Sequence, residues 1–192
     1  MATAFARYVG FAPLKTSASD DGTTPAEYDA GGFIGKLMNV SVTPAAAKTP
    51  LYGDDEIAEE VNEIVSAAIS VGTTAIPWET GKKMFNYTVT GEEGAREIIN
   101  KVDDESAVGM FCYCYGEIIN KKTHVYLVAL PETVFDLPAH SATTRGASIT
   151  LSTPTLAGTA RPDPTGEWQH IYEFGSFAEA KVKFKELLNI TT

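Results

Sequence analysis

The alternation of apolar and polar positions predicts a chain made mostly of strands. "RYVGFAPLKT" opens it, and a polar stretch with Asp-Asp-Gly follows, which reads as a turn. In "FIGKLMNVSVTP", Lys36, Met38, Val40 and Val42 alternate with Leu37, Asn39 and Ser41, the pattern of a half-buried strand. "AAAKTPLYGDD", with Pro44 and Pro50 around it, reads as a loop. "AVGMFCYCYGEII" and "THVYLVALPETVF" are two strong strand signals joined by "NKK", a spacing that predicts an antiparallel hairpin. Further strands are expected in "SITLSTPTLAGTA" and "EWQHIYEF", with "DLPAHSATTRGAS" as a long loop before them. A short helix is expected after Pro77, since proline suits a first helical position. "GEEGAREIINKVDDES" reads as helix or turn, with acidic residues in its first turn.

Two segments carry helical periodicity. In "SFAEAKVKFKELLN", Ser176 and Glu179 form a capping box, and Phe177, Ala180, Phe184, Leu187 and Leu188 make one apolar stripe. This predicts a helix over 176–189. "DDEIAEEVNEIVSAAIS" (54–70) reads two ways. At a period of 3.6, Ile57, Val61, Ile64, Val65, Ala68 and Ile69 share a face. At a period of two, Val61, Glu63, Val65, Ala67, Ile69 and Val71 share one. The residues alone leave both readings open, with periodicity leaning to helix.

Mainly strands, long loops and one clear terminal helix indicate a mainly β fold, a sandwich or barrel with a flanking helix. At 192 residues the chain suits one domain, and at 44% hydrophobic it can bury a sizeable core. No repeat of fixed period is present.

Charge narrows the partners. With 15 basic and 25 acidic residues the formal charge is −10, which disfavours nucleic-acid binding through clustered Lys and Arg. No run of about 18 apolar residues occurs, so no membrane span is expected. "MATAFARYVGF" lacks the apolar core and cleavage site of a signal peptide, which predicts maturation in the cytoplasm of the cell that makes it.

Candidate chemistry is thin. Cys112 and Cys114 share a strand face, and His124 lies on the paired strand. Structural zinc sites use four ligands with C-x2-C-type spacing, so small core residues are the better reading. Combinations of these cysteines with His124, His140 or His170 show nothing that marks a reactive thiol. "SDDG", "GDDE" and "DDES" lack the spacing of a calcium loop and read as turns. "GGFIG" has no phosphate-loop spacing, and "HSATTRG" is no nucleophile elbow. No catalytic residue, metal or cofactor is expected, and the chain reads as a non-enzyme.

Four pieces in order carry a resemblance: "TPLYGDDEIAEE" (49–60), "SAAISVGTTAIPWE" (66–79), "HVYLVALPETVFDLPAHSATTRGASITLSTPTLAGTA" (124–160) and "TGEW" (165–168). Together the chain resembles the major tail tube proteins of long non-contractile-tailed bacteriophages over roughly residues 30–170. It departs from their pattern at "AIPWE" and "VYLVAL", and the terminal helix is not part of the likeness.

The resemblance implies a β-sandwich or barrel of the tail tube type with one flanking helix, and a long strand over 61–76. It implies a single tail tube domain over 1–192 with an extended inter-ring loop at about 44–60. Such proteins form hexameric rings that stack into a tube conducting DNA into the host. Their partners are further copies, the tape measure, tail-tip and tail-terminator proteins, and passing DNA without specific binding. Their place is the virion tail, assembled in the host bacterial cytoplasm. The implied contact residues are Thr49, Pro50, Leu51, Tyr52 and Gly53 in the inter-ring loop. Asp54, Asp55, Glu56, Glu59 and Glu63 are candidates for a lumen or ring-to-ring surface, where carboxylates repel phosphates. The rival reading is a non-viral β-sandwich binding or adhesion module.

Overall fold

The computed structural model describes residues 3–53, 56–139 and 153–190, with the backbone alone described for 3–4, 49–53 and 56–62. The chain runs β1 (Thr3–Thr16), β2 (Glu27–Tyr28), β3 (Gly32–Phe33), β4 (Leu37–Gly53), β5 (Glu56–Thr73), α1 (Trp78–Phe85), β6 (Thr88–Thr90) and β7 (Glu97–Ile99). It continues with β8 (Gly109–Ile119), β9 (Lys122–Phe135), β10 (Thr155–Arg161), β11 (His170–Phe174) and α2 (Phe177–Leu187). Nine strands form one antiparallel sheet in the order β2-β1-β8-β9-β10-β5-β4, with β3 on β1 and β11 on β9. β6 and β7 pair separately.

β9 is long enough to serve two partners along one edge. β11 takes Val125–Ala129 and β10 takes Glu132–Phe135, while β8 lines the other edge. The turn between β8 and β9 places Asn120 (φ 51°) and Lys121 (φ 65°) in the left-handed region. Two positive φ values match the right-handed twist of a tight hairpin.

The sheet is apolar on both faces where it is central. On one face Val9, Phe11, Phe111, Val128, Leu130 and Phe135 share a core with Ala67, Ile69, Val71 and Leu156. These strands are several positions apart in a single sheet, so the sheet curls over itself, and β4 returns close to β1 without main-chain pairing. The expected sandwich or barrel is therefore one curled, open sheet. α1 adds Met84 and Phe85 to this core. On the other face Ala12, Cys112, Cys114, Leu127 and Ala129 lie under Ala180, Phe184 and Leu188 of α2. Burial on both sides is why "GMFCYCYG" shows no polar alternation.

α2 is seated by local devices. Ser176 Oγ accepts from the Glu179 N–H at 3.4 Å, as the capping box predicts. Gly10 lets the helix close on β1: a Cβ there would lie 2.6 Å from Leu188 Cδ1 and 2.9 Å from Phe184 Cζ. A bulge between Arg7 and Val9 puts Tyr8 at φ 56°, and its ring packs against Phe177 and Phe184.

Three expectations are corrected. Residues 56–73 are strand, as the resemblance implied for 61–76 up to Thr73, and what is corrected is the lean of periodicity toward helix: Ala67, Ile69 and Val71 are buried while Ala68, on the helical stripe alone, is exposed. Alternation against a core overrides a helical moment that has nothing to pack on. The stretch over 44–60, expected as an extended loop, is the paired far part of β4 and β5 on either side of 54–55, which lie outside the described residues. Pro44 and Pro50 do not break it, because an edge strand needs no donor on its outer side. Of the two readings of "GEEGAREIINKVDDES", turn holds and helix does not: it forms turns around the short β7, with Gly91 and Gly94 at positive φ. Of the predicted "SITL" strand, 148–152 lie outside the described residues, as do 140–147 of the loop before it.

A candidate assembly surface

β4 and β5 pair from Leu37↔Thr73 to Gly53↔Glu56. β10 covers the second edge of β5 only from Gly72 to Ala67. Beyond that, from Glu56 to Ser66, β5 has β4 as its one partner among the described strands. This stretch is an arm of about 35 Å at ~3.3 Å per residue. It begins at a bulge, where Ala45 pairs Ser66, Ala46 pairs Ile64, and Val65 is left over. Bulges bend a ribbon, and this one lies where β10 stops.

The arm leaves two kinds of strand edge open. Among the described strands, the outer edge of β4 has no partner along its length, and β5 has none along its inner edge below Ala67. β11 adds a third, since it pairs with β9 alone. Unpaired N–H and C=O rows invite another strand, and proteins guard them with proline, charge and short length. β4 carries Pro44, Lys48 and Pro50. Its exposed residues Thr43, Pro44, Ala45, Ala46 and Ala47 are small.

The predicted contact residues collect on this arm. Thr49↔Val61, Pro50↔Glu60, Leu51↔Glu59, Tyr52↔Ile57 and Gly53↔Glu56 bring 49–53 alongside Glu56 and Glu59, and Glu63 pairs Ala47. Glu63 is exposed. Asp54 and Asp55 lie outside the described residues. The arm also has a direction: β5 and β9 are both antiparallel to β10, so its tip points to the same end as the β8–β9 turn. The inner edge of β5 was not foreseen. Pro44 and Pro50 inside an otherwise strand-like run were the available sign of an edge.

The other constellations do not converge. Cys112 and Cys114 face α2, in the core that holds Val125 and Leu127. His124, one residue before Val125, faces the other way and bonds Glu173 through Nδ1 at 2.7 Å. Burial pushes the Cys112 thiol well up and that of Cys114 to about 12, the opposite of an activated thiol. Asp21 Oδ1 accepts from Ser19 Oγ at 2.6 Å, the Thr23 N–H at 3.0 Å and Thr23 Oγ1 at 2.7 Å. Asp104 accepts from the Lys101 N–H at 2.8 Å. Both serve their own turns. A Cβ at Gly32 would sit 2.5 Å from Thr80 Oγ1, so part of "GGFIG" serves close packing. Among the described residues no group of three His, Cys, Asp or Glu is placed to hold a metal, and no helix is long and apolar enough to cross a membrane. No protein-family model matches the chain, and no curated protein matches it in sequence.

Proposed function

We propose that this chain is a structural virion protein, the subunit of a bacteriophage tail tube. Copies form hexameric rings, and the rings stack into the conduit through which viral DNA enters the host. The observation that carries the reading is the β4–β5 arm, with its open edges and its acidic far half. An arm of this length has no work to do inside its own curled sheet. Strand edges that stay open in one copy are met by those of the next, and a ring of copies leaves no free edge. The residues that resemble tail tube proteins at 49–60 fall on the arm.

The charge agrees with such a conduit. A chain of formal charge −10 presents carboxylates to passing phosphates and holds no duplex by counterion release. The role asks for no catalysis and no cofactor. It puts the protein in the virion tail after assembly in the bacterial cytoplasm, beside tape-measure, tail-tip and terminator proteins. Negative-stain electron microscopy at rising concentration tests it. Rings or stacked tubes are the expected result. Compact monomers at every concentration, with and without a tail-tip seed, would refute it.

A further inference from the structure

β10 and β11 follow one another along the same edge of β9, with Arg161 paired to Glu132 and His170 to Ala129. Both run antiparallel to β9, so β11 continues the line of β10. β5 lies on the far side of that line. It pairs with β10 as far as Ala67 and then has β4 alone among the described strands. The free edge of β11 and the free inner edge of the arm therefore flank one slit in one sheet.

The slit begins at a crease. Ala160 pairs with both Ala67 and Thr133, and counting back along the parallel strands β5 and β9 brings Val65 level with Pro131. Val65 is the residue left over by the β4–β5 bulge. Pro131 falls in the register shift between β8 and β9 and has no N–H to give a neighbour. The turn from β10 to β11 leaves the sheet at the same level. It is closed on itself by Asp163, whose Oδ1 accepts from the Thr165 N–H at 3.0 Å and the Glu167 N–H at 2.9 Å. Irregularities stacked at one level are where a sheet bends.

Below the crease the two edges match. The same count sets Glu63 level with Ala129, the partner of His170, and Glu59 level with Val125, the partner of Phe174. The arm runs antiparallel to β11, the sense in which β5 already pairs with β10. Ile171, in the middle of the free edge, is 56% exposed.

We infer that in the free subunit the arm closes onto β11 in this register, with Asn62 opposite Ile171. The occupant is the chain's own arm because it is tethered at the crease, in the matching sense, and long enough to cover all five residues of β11. The sheet is complete without this contact. Closure serves to hide the inner edge of β5 and the edge of β11 from other copies. It sets Glu60 opposite Glu173, and like charges directly opposite one another weaken a pair, so the closed arm yields to a neighbour's strand. That last step rests on the self-assembly reading above, and the closure itself does not.

The test joins Asn62→Cys with Ile171→Cys and oxidises the dilute monomer mildly, with the disulfide located by peptide mass. Native Cys112 and Cys114 are buried. The expected product is a 62–171 disulfide within one chain, formed roughly tenfold faster than with Ile57→Cys in place of Asn62→Cys. Residue 57 lies about 16 Å further along the strand at ~3.3 Å per residue, beyond the reach of a disulfide. Equal rates for the two variants, or disulfides only between chains, would overturn the closure. The oxidised 62–171 protein should stay monomeric where its reduced form builds rings, and rings from the oxidised form would overturn the role as a brake. Wild-type protein that never forms rings would overturn the tube reading and the brake with it, while the 62–171 disulfide would still establish the closure.

Discussion

Phe184→Ala is the most direct probe of how α2 belongs to the fold. Phe184 is fully buried. Its ring stacks on Phe33 at 5.2 Å between centroids and meets Tyr8 at 6.2 Å, while Gly10 below it has no side chain to fill a gap. Truncating a buried Phe costs roughly 3–5 kcal/mol, set by how far the site collapses. Here the neighbours are a sheet and a glycine that cannot grow, so collapse is poor and the upper half of that range applies. Loss of the ring pairs adds to it, at about 0.5–1.5 kcal/mol per pair. For a chain of this size each kcal/mol lowers Tm by roughly 2–4 °C, so a drop on the order of 10 °C is expected. Val182→Ala, on the same helix but 69% exposed, should move Tm by less than about 2 °C. Calorimetry with urea unfolding reads both. A Phe184→Ala protein within about 1 kcal/mol of wild type would refute the packing of α2 on β1 and β8.

Three further outcomes are expected. Excising 44–60 should leave a folded monomer, seen by circular dichroism and sedimentation, that no longer stacks; a variant that still forms long tubes would remove the arm from the ring-to-ring contact. Native protein at pH 8 should resist thiol labelling and react fully once unfolded, because a thiol of pKa about 12 is thiolate to only on the order of one part in ten thousand; rapid native labelling would show that α2 opens. The carboxyl of Asp21 is lowered to about 2, first by the Ser19 hydroxyl and then by the Thr23 bonds. Its ionised form is the one the turn binds, so its contribution is present above its ordinary value of 3.8 and is lost as pH falls through about 2; a titration midpoint near the ordinary value would rule those bonds out in solution.

Local rules carried far in some parts of the chain. Ser176 and Glu179 announced the start of α2, and Ala180, Phe184 and Leu188 announced the face it buries. The β8–β9 hairpin followed from two β-rich runs and a short polar turn, and the short helix after Pro77 from the habit of proline at helix starts. In each case the signal and the structure lie within a few residues of one another, so neighbours along the chain suffice.

The arm was legible only in part. Its residues were singled out by resemblance, but 44–60 read as a loop because Pro44, Pro50 and a run of alanines carry no alternation. Alternation records a buried face, and the side chains of 44–48 are all exposed, so they have none to record. The strand identity of 56–73 likewise needed β10 and β4: Ala67, Ile69 and Val71 are apolar because a curled sheet closes over them, a fact held by residues nearly a hundred positions away in β10. What the sequence determined by itself is the mainly β character, the terminal helix and its buried face, and the strong acidity. What only the tertiary structure decided is which edges stay open and which apolar side chains remain outside. Both depend on where distant strands end, and no local pattern encodes that.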